Sequence, residues 1–129
     1  MKQLLVLTIF ISSLIMSSVA HAKWTWVIRN VNGTTFYVDF QKIRKHDGKV
    51  YYWRLTDYLK PENGIWSGEA YIEAECGPFR QRFLAVSLYS GSMATGTEKK
   101  ANESQLSKDW EYRKEDAVLE AVCNYTSMQ

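Results

Sequence analysis

The eleven residues from Trp66 to Cys76 alternate in polarity over their whole length, and no other stretch constrains the fold as much. Trp66, Ala70, Ile72, Ala74 and Cys76 fall on one face; Ser67, Glu69, Tyr71, Glu73 and Glu75 fall on the other. A period of two excludes a helix, because successive strand side chains point to opposite faces. It predicts an antiparallel strand with one face in a core and one in water. It also sets Cys76 on the core side, where a bridge can be buried. Such a strand needs hydrogen-bonding neighbours and a layer over its apolar face, and the rest of the chain has to supply both.

The neighbours are legible. Lys49 to Leu59 reads as the longest strand, with Tyr51, Trp53 and Leu55 on one side and Val50, Tyr52, Arg54 and Thr56 on the other. Phe79 to Tyr89 follows a Gly77-Pro78 reversal, and its parity breaks: Arg80 and Arg82 belong to the wet side, yet Leu84, Val86 and Leu88 continue their register. A bulge near Leu84 reconciles the two halves. Trp24 to Arg29 and Thr34 to Val38 flank Asn32-Gly33, a hairpin signal. Phe40 to Lys45 allows one helical turn, and His46-Asp47-Gly48 reads as a turn. Lys60 to Gly64 and Ser90 to Gly96 read as loops, Thr97 to Lys108 is polar and weakly patterned, and Trp110 to Tyr112 suits a short last strand. From Glu115 to Asn124 the period changes: Val118, Leu119, Val122 and Cys123 recur at helical spacing behind the acidic pair Glu115-Asp116. This predicts a C-terminal helix that covers the sheet.

The first 22 residues stand apart. Met1-Lys2 is a short positive start, Leu4 to Met16 is nearly all apolar, and Ala20-His21-Ala22 supplies an A-x-A cleavage pattern. This is the pattern of a secretory signal peptide cut before Lys23. The alternative, a membrane anchor, asks for roughly 20 apolar residues, more than this run offers. The expected organisation is a signal peptide over 1–22 and one domain over 23–129, with no later transmembrane segment. Cleavage removes Lys2 and His21, so the 16 Lys and Arg fall to 15 against 14 Asp and Glu, with His46 the only histidine left. That balance excludes a strongly basic nucleic-acid binder.

Cys76 and Cys123 are the only cysteines. In an exported chain such a pair is normally bridged, and a domain this small gains from the staple. The other uses, a redox thiol or a metal site, lack a C-x-x-C motif and a sufficient ligand set. Catalytic chemistry is equally short of parts. His46 sits in a polar turn beside Asp47, without a nucleophile in view. Glu73 and Glu75 share one strand face, whereas glycosidase carboxylates work from opposite sides of a substrate. They read as a solvated pair balanced by Arg80 and Arg82 across the turn. No cofactor motif is present.

Aromatics are the unusual component, with five Trp and eight Tyr. Most suit core and cross-strand packing. Tyr52, Tyr71 and Trp66, with Arg54, Arg80 and Arg82, are the candidates for an exposed binding face, since aromatics and Arg are favoured at interfaces.

Order and spacing along the mature chain carry a resemblance. Tyr37-Val38-Asp39 precedes Ile43-Arg44, then Gly48, Val50 and Trp53; Cys76 is followed by Arg80 and Arg82; Tyr89-Ser90-Gly91-Ser92-Met93 leads to Gly96; Trp110 and Cys123 close the set. In these the chain resembles the surface-adhesin protein E-like domain of exported bacterial proteins. It departs at Phe40, where the family often has Pro, at Lys114-Glu115-Asp116, where it often has a Pro-Gly-Ser-like approach to the helix, and at Lys23, where lipid-anchored members carry Cys. The resemblance implies an α+β fold, a twisted antiparallel sheet of about six strands with a C-terminal helix packed on it and tied by the disulfide. Adhesion to host matrix proteins is linked to some members. The expected function is a non-catalytic envelope binding module, an adhesin recognising host matrix or another macromolecule through a sheet face. The alternative is a periplasmic structural or inhibitory protein acting on the cell's own envelope components. No cofactor and no nucleic-acid partner are expected. The expected location is the periplasm or the cell surface, and open sheet edges make a homodimer compatible with the fold.

Overall fold

The structure, a computed structural model, describes residues 22–129. The signal peptide read over 1–22 lies, apart from Ala22, outside the described residues. The elements are β1 (Thr25–Arg29), β2 (Thr35–Val38), a 3-10 turn (Phe40–Lys42), β3 (Arg44–His46), β4 (Lys49–Glu62), β5 (Ile65–Glu75), β6 (Arg80–Tyr89), β7 (Glu98–Lys100), a second 3-10 turn (Glu103–Gln105), β8 (Glu111–Tyr112) and α1 (Ala117–Ser127).

The strands form one antiparallel sheet in the order β1-β2-β4-β5-β6-β7, the six expected. Two short strands extend it to eight. β3 pairs β4 through Lys49–Tyr51, end to end with β2, and β8 pairs β6 through Arg80 and Gln81, end to end with β7. Turn chemistry sets the registers. Asn63 and Gly64 both have positive φ, 51° and 76°, which joins Glu62 to Ile65 in a two-residue hairpin. Two consecutive positive φ angles match the right-handed strand twist. The loop predicted from Lys60 is therefore mostly strand, running to Glu62. In β6 the predicted bulge is present: Tyr71 pairs Ala85 and Ile72 pairs Phe83, leaving Leu84 unpaired.

One sheet face carries the helix. Val38, Val50, Tyr52, Ala70, Ile72 and Ala74 form a buried cluster with Val118, Leu119 and Val122. The helix starts at Ala117, two residues later than the acidic pair suggests. Asp116 is its cap: Oδ1 accepts from the Val118 and Leu119 N–H groups, each at 3.0 Å. This satisfies two of the donors that a helix N-terminus leaves orphaned. The Cys76–Cys123 disulfide ties the residue that follows β5 to α1, with 5.7 Å between the Cα atoms.

The opposite face is less wet than alternation predicts. Ser67 is fully buried and Glu73 nearly so. Two long-range pieces that alternation cannot register cover them. The Ser90–Thr97 loop folds over one end: Ser67 Oγ donates to the Gly91 carbonyl at 2.6 Å, and Met93 N–H donates to Asp57 Oδ1 at 2.9 Å. Trp110 lies over the other end, against Arg80 and Arg82.

Candidate functional site

Cross-strand register sorts the proposed binding residues onto two faces. Tyr71 pairs Trp53 and Ala85, Glu73 pairs Tyr51 and Arg82, and Glu75 pairs Arg80. All of these stand on the face opposite the helix. Tyr52 pairs Ile72 and Arg54 pairs Ala70, which puts both on the helix side. The six-residue patch drawn from the sequence is therefore corrected. Tyr52 has no accessible surface, and its hydroxyl donates to Gln81 Oε1 at 2.8 Å. Burial drives its phenol pKa well above the usual value. Arg54 is partly buried, its guanidinium 5.2 Å from the Phe83 ring and 5.7 Å from the Phe36 ring. Burial lowers its pKa, and its Nε is buried without a hydrogen-bond partner. Both residues hold the helix-side core together. Trp66, 38% exposed, shares that side by parity with Ala70 and lies near the hairpin end of β5.

Tyr71, Arg80 and Arg82 do come together, with three aromatics that the sequence reading did not place in the patch. The Trp53 and Tyr71 rings stack at 4.9 Å with 28° between planes, and Tyr51 lies 6.2 Å from Tyr71. These three rings occupy neighbouring positions on adjacent central strands and are only partly buried. Below them the acidic pair meets the arginines. Arg82 Nη2 donates to Glu73 Oε1 at 2.8 Å, with Lys49 Nζ 3.8 Å from the same oxygen. Arg80 reaches both Glu75 oxygens, at 3.0 and 3.1 Å. Both guanidinium groups stand 4.4 Å from the Trp110 ring centroid. Arg80 also donates to the exposed Tyr112 hydroxyl at 3.3 Å. Glu73 and Glu75 are thus each engaged by an arginine, and neither is poised for proton transfer to a substrate.

The face ends in two clefts. One, of about 280 Å³, opens between β6 and the Glu103–Lys108 segment and is lined by Arg82, Phe83, Leu84 and Leu106. The other, of about 250 Å³, is lined by Trp24, Asp39, Lys42, Trp53 and Glu69. In the second, burial raises the Glu69 carboxyl above the usual carboxylate range, and Tyr89 Oη donates to it at 3.3 Å. The Tyr89 phenol, itself partly buried beside Glu69, is pushed up to about 12. Tyr51 and Trp53 were missed because their strand carries aromatics on both faces, and Trp110 because it precedes a strand too short for a period to show. His46 and Asp47 form a solvent-exposed pair at 3.1 Å. Among the described residues, no group of three or more His, Cys, Asp or Glu side chains could hold a metal ion. No helix of the described residues is long and apolar enough to cross a membrane.

These features define the class: a small disulfide-stapled sheet-and-helix domain with an aromatic and arginine face turned away from its helix. The family model for surface-adhesin protein E matches residues 24–125. The chain belongs to that family, and is adhesin-like in that sense. Its fold is similar to Haemophilus influenzae protein E in crystal form II, with a TM-score of 0.61 at 16% identity, over 82% of this chain and 91% of that one. It is also similar to a structure of protein E from non-typeable Haemophilus influenzae, with a TM-score of 0.54 at 14% identity, over 83% of this chain and 76% of that one. No curated protein matches the sequence.

Proposed function

We propose that this protein is an exported, non-catalytic envelope binding module that recognises a macromolecule, foremost a protein, through the sheet face opposite α1. One observation carries the reading. Trp53, Tyr71 and Tyr51 form a continuous aromatic surface that no helix covers, next to arginines fixed by Glu73, Glu75 and Trp110. Rigid aromatics bordered by pre-oriented arginines lose little side-chain entropy on binding, as interface hot spots do. The local charges nearly cancel, so the face suits a mixed polar and apolar protein surface better than a polyanion. Family membership and the signal-peptide pattern support a place in the envelope. An adhesin role would have the partner in the host matrix; the periplasmic alternative would have it among the cell's own envelope components.

The test uses Ala85→Arg. Ala85 is exposed and pairs with Tyr71 at the edge of the aromatic surface, so a long side chain there obstructs the face without entering the core. Binding to immobilised matrix proteins and to envelope fractions is compared with Glu120→Arg, at an exposed helix position. The expected result is at least a roughly tenfold loss for Ala85→Arg alone, on the scale of a hot-spot contact. Equal binding by both variants rules this face out. Protease shaving of intact cells, with a periplasmic marker as control, separates the adhesin from the periplasmic reading.

A further inference from the structure

Asp39 is 1% exposed, yet no fully opposed charge is built against it. Its Oδ1 accepts the Gln41 N–H at 3.2 Å as the cap of the 3-10 turn, and Lys42 Nζ, on a side chain 45% exposed, stands 4.0 Å from Oδ2. Its remaining close donor is the backbone nitrogen of Lys23, 3.1 Å from Oδ2. Lys23 is the residue that the A-x-A pattern places first in the mature chain. A buried carboxylate is costly unless a charge-assisted partner meets it. The one nitrogen that processing converts from a neutral amide into an ammonium already points at it.

We propose that cleavage between Ala22 and Lys23 creates an N-terminal ammonium that pairs with buried Asp39 and locks the start of β1 onto the sheet. The inference rests on the signal-peptide reading and is independent of the binding face. The step is a hydrolysis catalysed by an exported chain's processing peptidase. Water adds its hydroxyl to the Ala22 carbonyl carbon, the C–N bond to Lys23 breaks, and the Lys23 nitrogen takes the remaining water proton and one from solvent. Before cleavage that nitrogen already stands 3.1 Å from Oδ2. Ala22, Trp24 and Asp39 line one cleft, so loss of Ala22 leaves room for the added protons rather than for a neighbouring side chain. Asp39 joins β2 to the 3-10 turn, and its own N–H donates to the Trp53 carbonyl. The pair would therefore tie the chain's first residue to the strand that carries the aromatic surface.

The experiment compares disulfide-oxidised proteins that begin at Lys23 and at Ala22. The extra residue moves the ammonium away and restores a neutral amide. An ammonium–carboxylate pair in place of an amide–carboxylate hydrogen bond should change the unfolding equilibrium about fivefold, a Tm about 5 °C higher for the Lys23 form. Asp39→Asn should erase that difference. If Asp39→Asn does not fold, acylation of the α-amine at neutral pH decides: the Lys23 form should react at least about tenfold slower than the Ala22 form, since the paired ammonium is held protonated. Equal Tm together with equal acylation overturns the pairing. Mass determination on protein recovered from cells checks the processing: a first residue other than Lys23 overturns the proposal for the cell, whatever the recombinant forms show.

Discussion

Replacing Cys76 and Cys123 by serine removes the one covalent tie between β5 and α1 and changes little else, since serine differs from cysteine by one atom. The bridged residues are 47 apart in sequence. In the chain-entropy model, opening a loop of that length favours the unfolded chain by about 4 kcal/mol at 25 °C. A domain of this size has roughly 5–15 kcal/mol in total, so the loss is a large share. The helix keeps Val118, Leu119 and Val122 in the core at 5%, 0% and 0% exposure. Eleven residues are, however, too few to hold a helix without tertiary support. At about 4 °C or more per kcal/mol, the expected fall in Tm is roughly 15–30 °C. Circular-dichroism melts measure it, and hydrogen exchange locates it: amides of Val118 to Val122 should exchange well before those of β4 and β5. A double-serine variant within about 3 °C of the parent, with helix protection intact, would refute the assignment of the bridge as the helix's anchor.

Three further outcomes follow from the same structure. Tyr52 is buried and its pKa raised, so the unfolded state ionises first and stability should fall as pH rises past about 10, its ordinary value. Tyr52→Phe should flatten that alkaline limb in urea titrations while costing about 1 kcal/mol at pH 7 for the lost bond to Gln81. Arg82→Ala leaves the Glu73 carboxylate, 8% exposed, with only Lys49 at 3.8 Å, and should cost about 3 kcal/mol in denaturant melts. Arg80→Ala breaks a more accessible pair, 24% and 20% exposed, and should cost less; a larger loss than for Arg82→Ala would contradict the burial argument. Glu69→Gln should raise Tm at pH 7 but not at about pH 4, because a carboxyl with a raised folded pKa loses stability as pH climbs through that pKa.

How much of this was legible follows from what each segment registers locally. β5, the helix and the bridge could be read because their apolar positions repeat at one clear period and end on a cysteine. The Leu84 bulge could be read because arginines on one side and leucine and valine on the other demand an extra residue. The faces of β4 could not. Tyr51, Trp53 and Leu55 are as apolar as Val50 and Tyr52, so alternation alone does not say which side of that strand meets the helix. Tyr52 and Arg54 were therefore drawn onto a surface they do not share with Tyr71. Ser67 and Glu73 read as wet because the loop from Ser90 and the segment at Trp110 cover them from more than 20 residues away. β3 and β8, three and two residues long, have no period to detect. Asp39 gave no signal beyond its place in a family motif; its burial and its reach to Lys23 exist only in three dimensions.

The central claim is that the aromatic and arginine face, not the helix, meets the partner. A photo-crosslinking amino acid placed at Ala85, and separately at Glu120, in cells making the full chain tests it most directly. Both positions are exposed, on opposite sides of the domain. The account predicts a discrete adduct from position 85 and none from position 120. An adduct from position 120 with none from position 85 would contradict it.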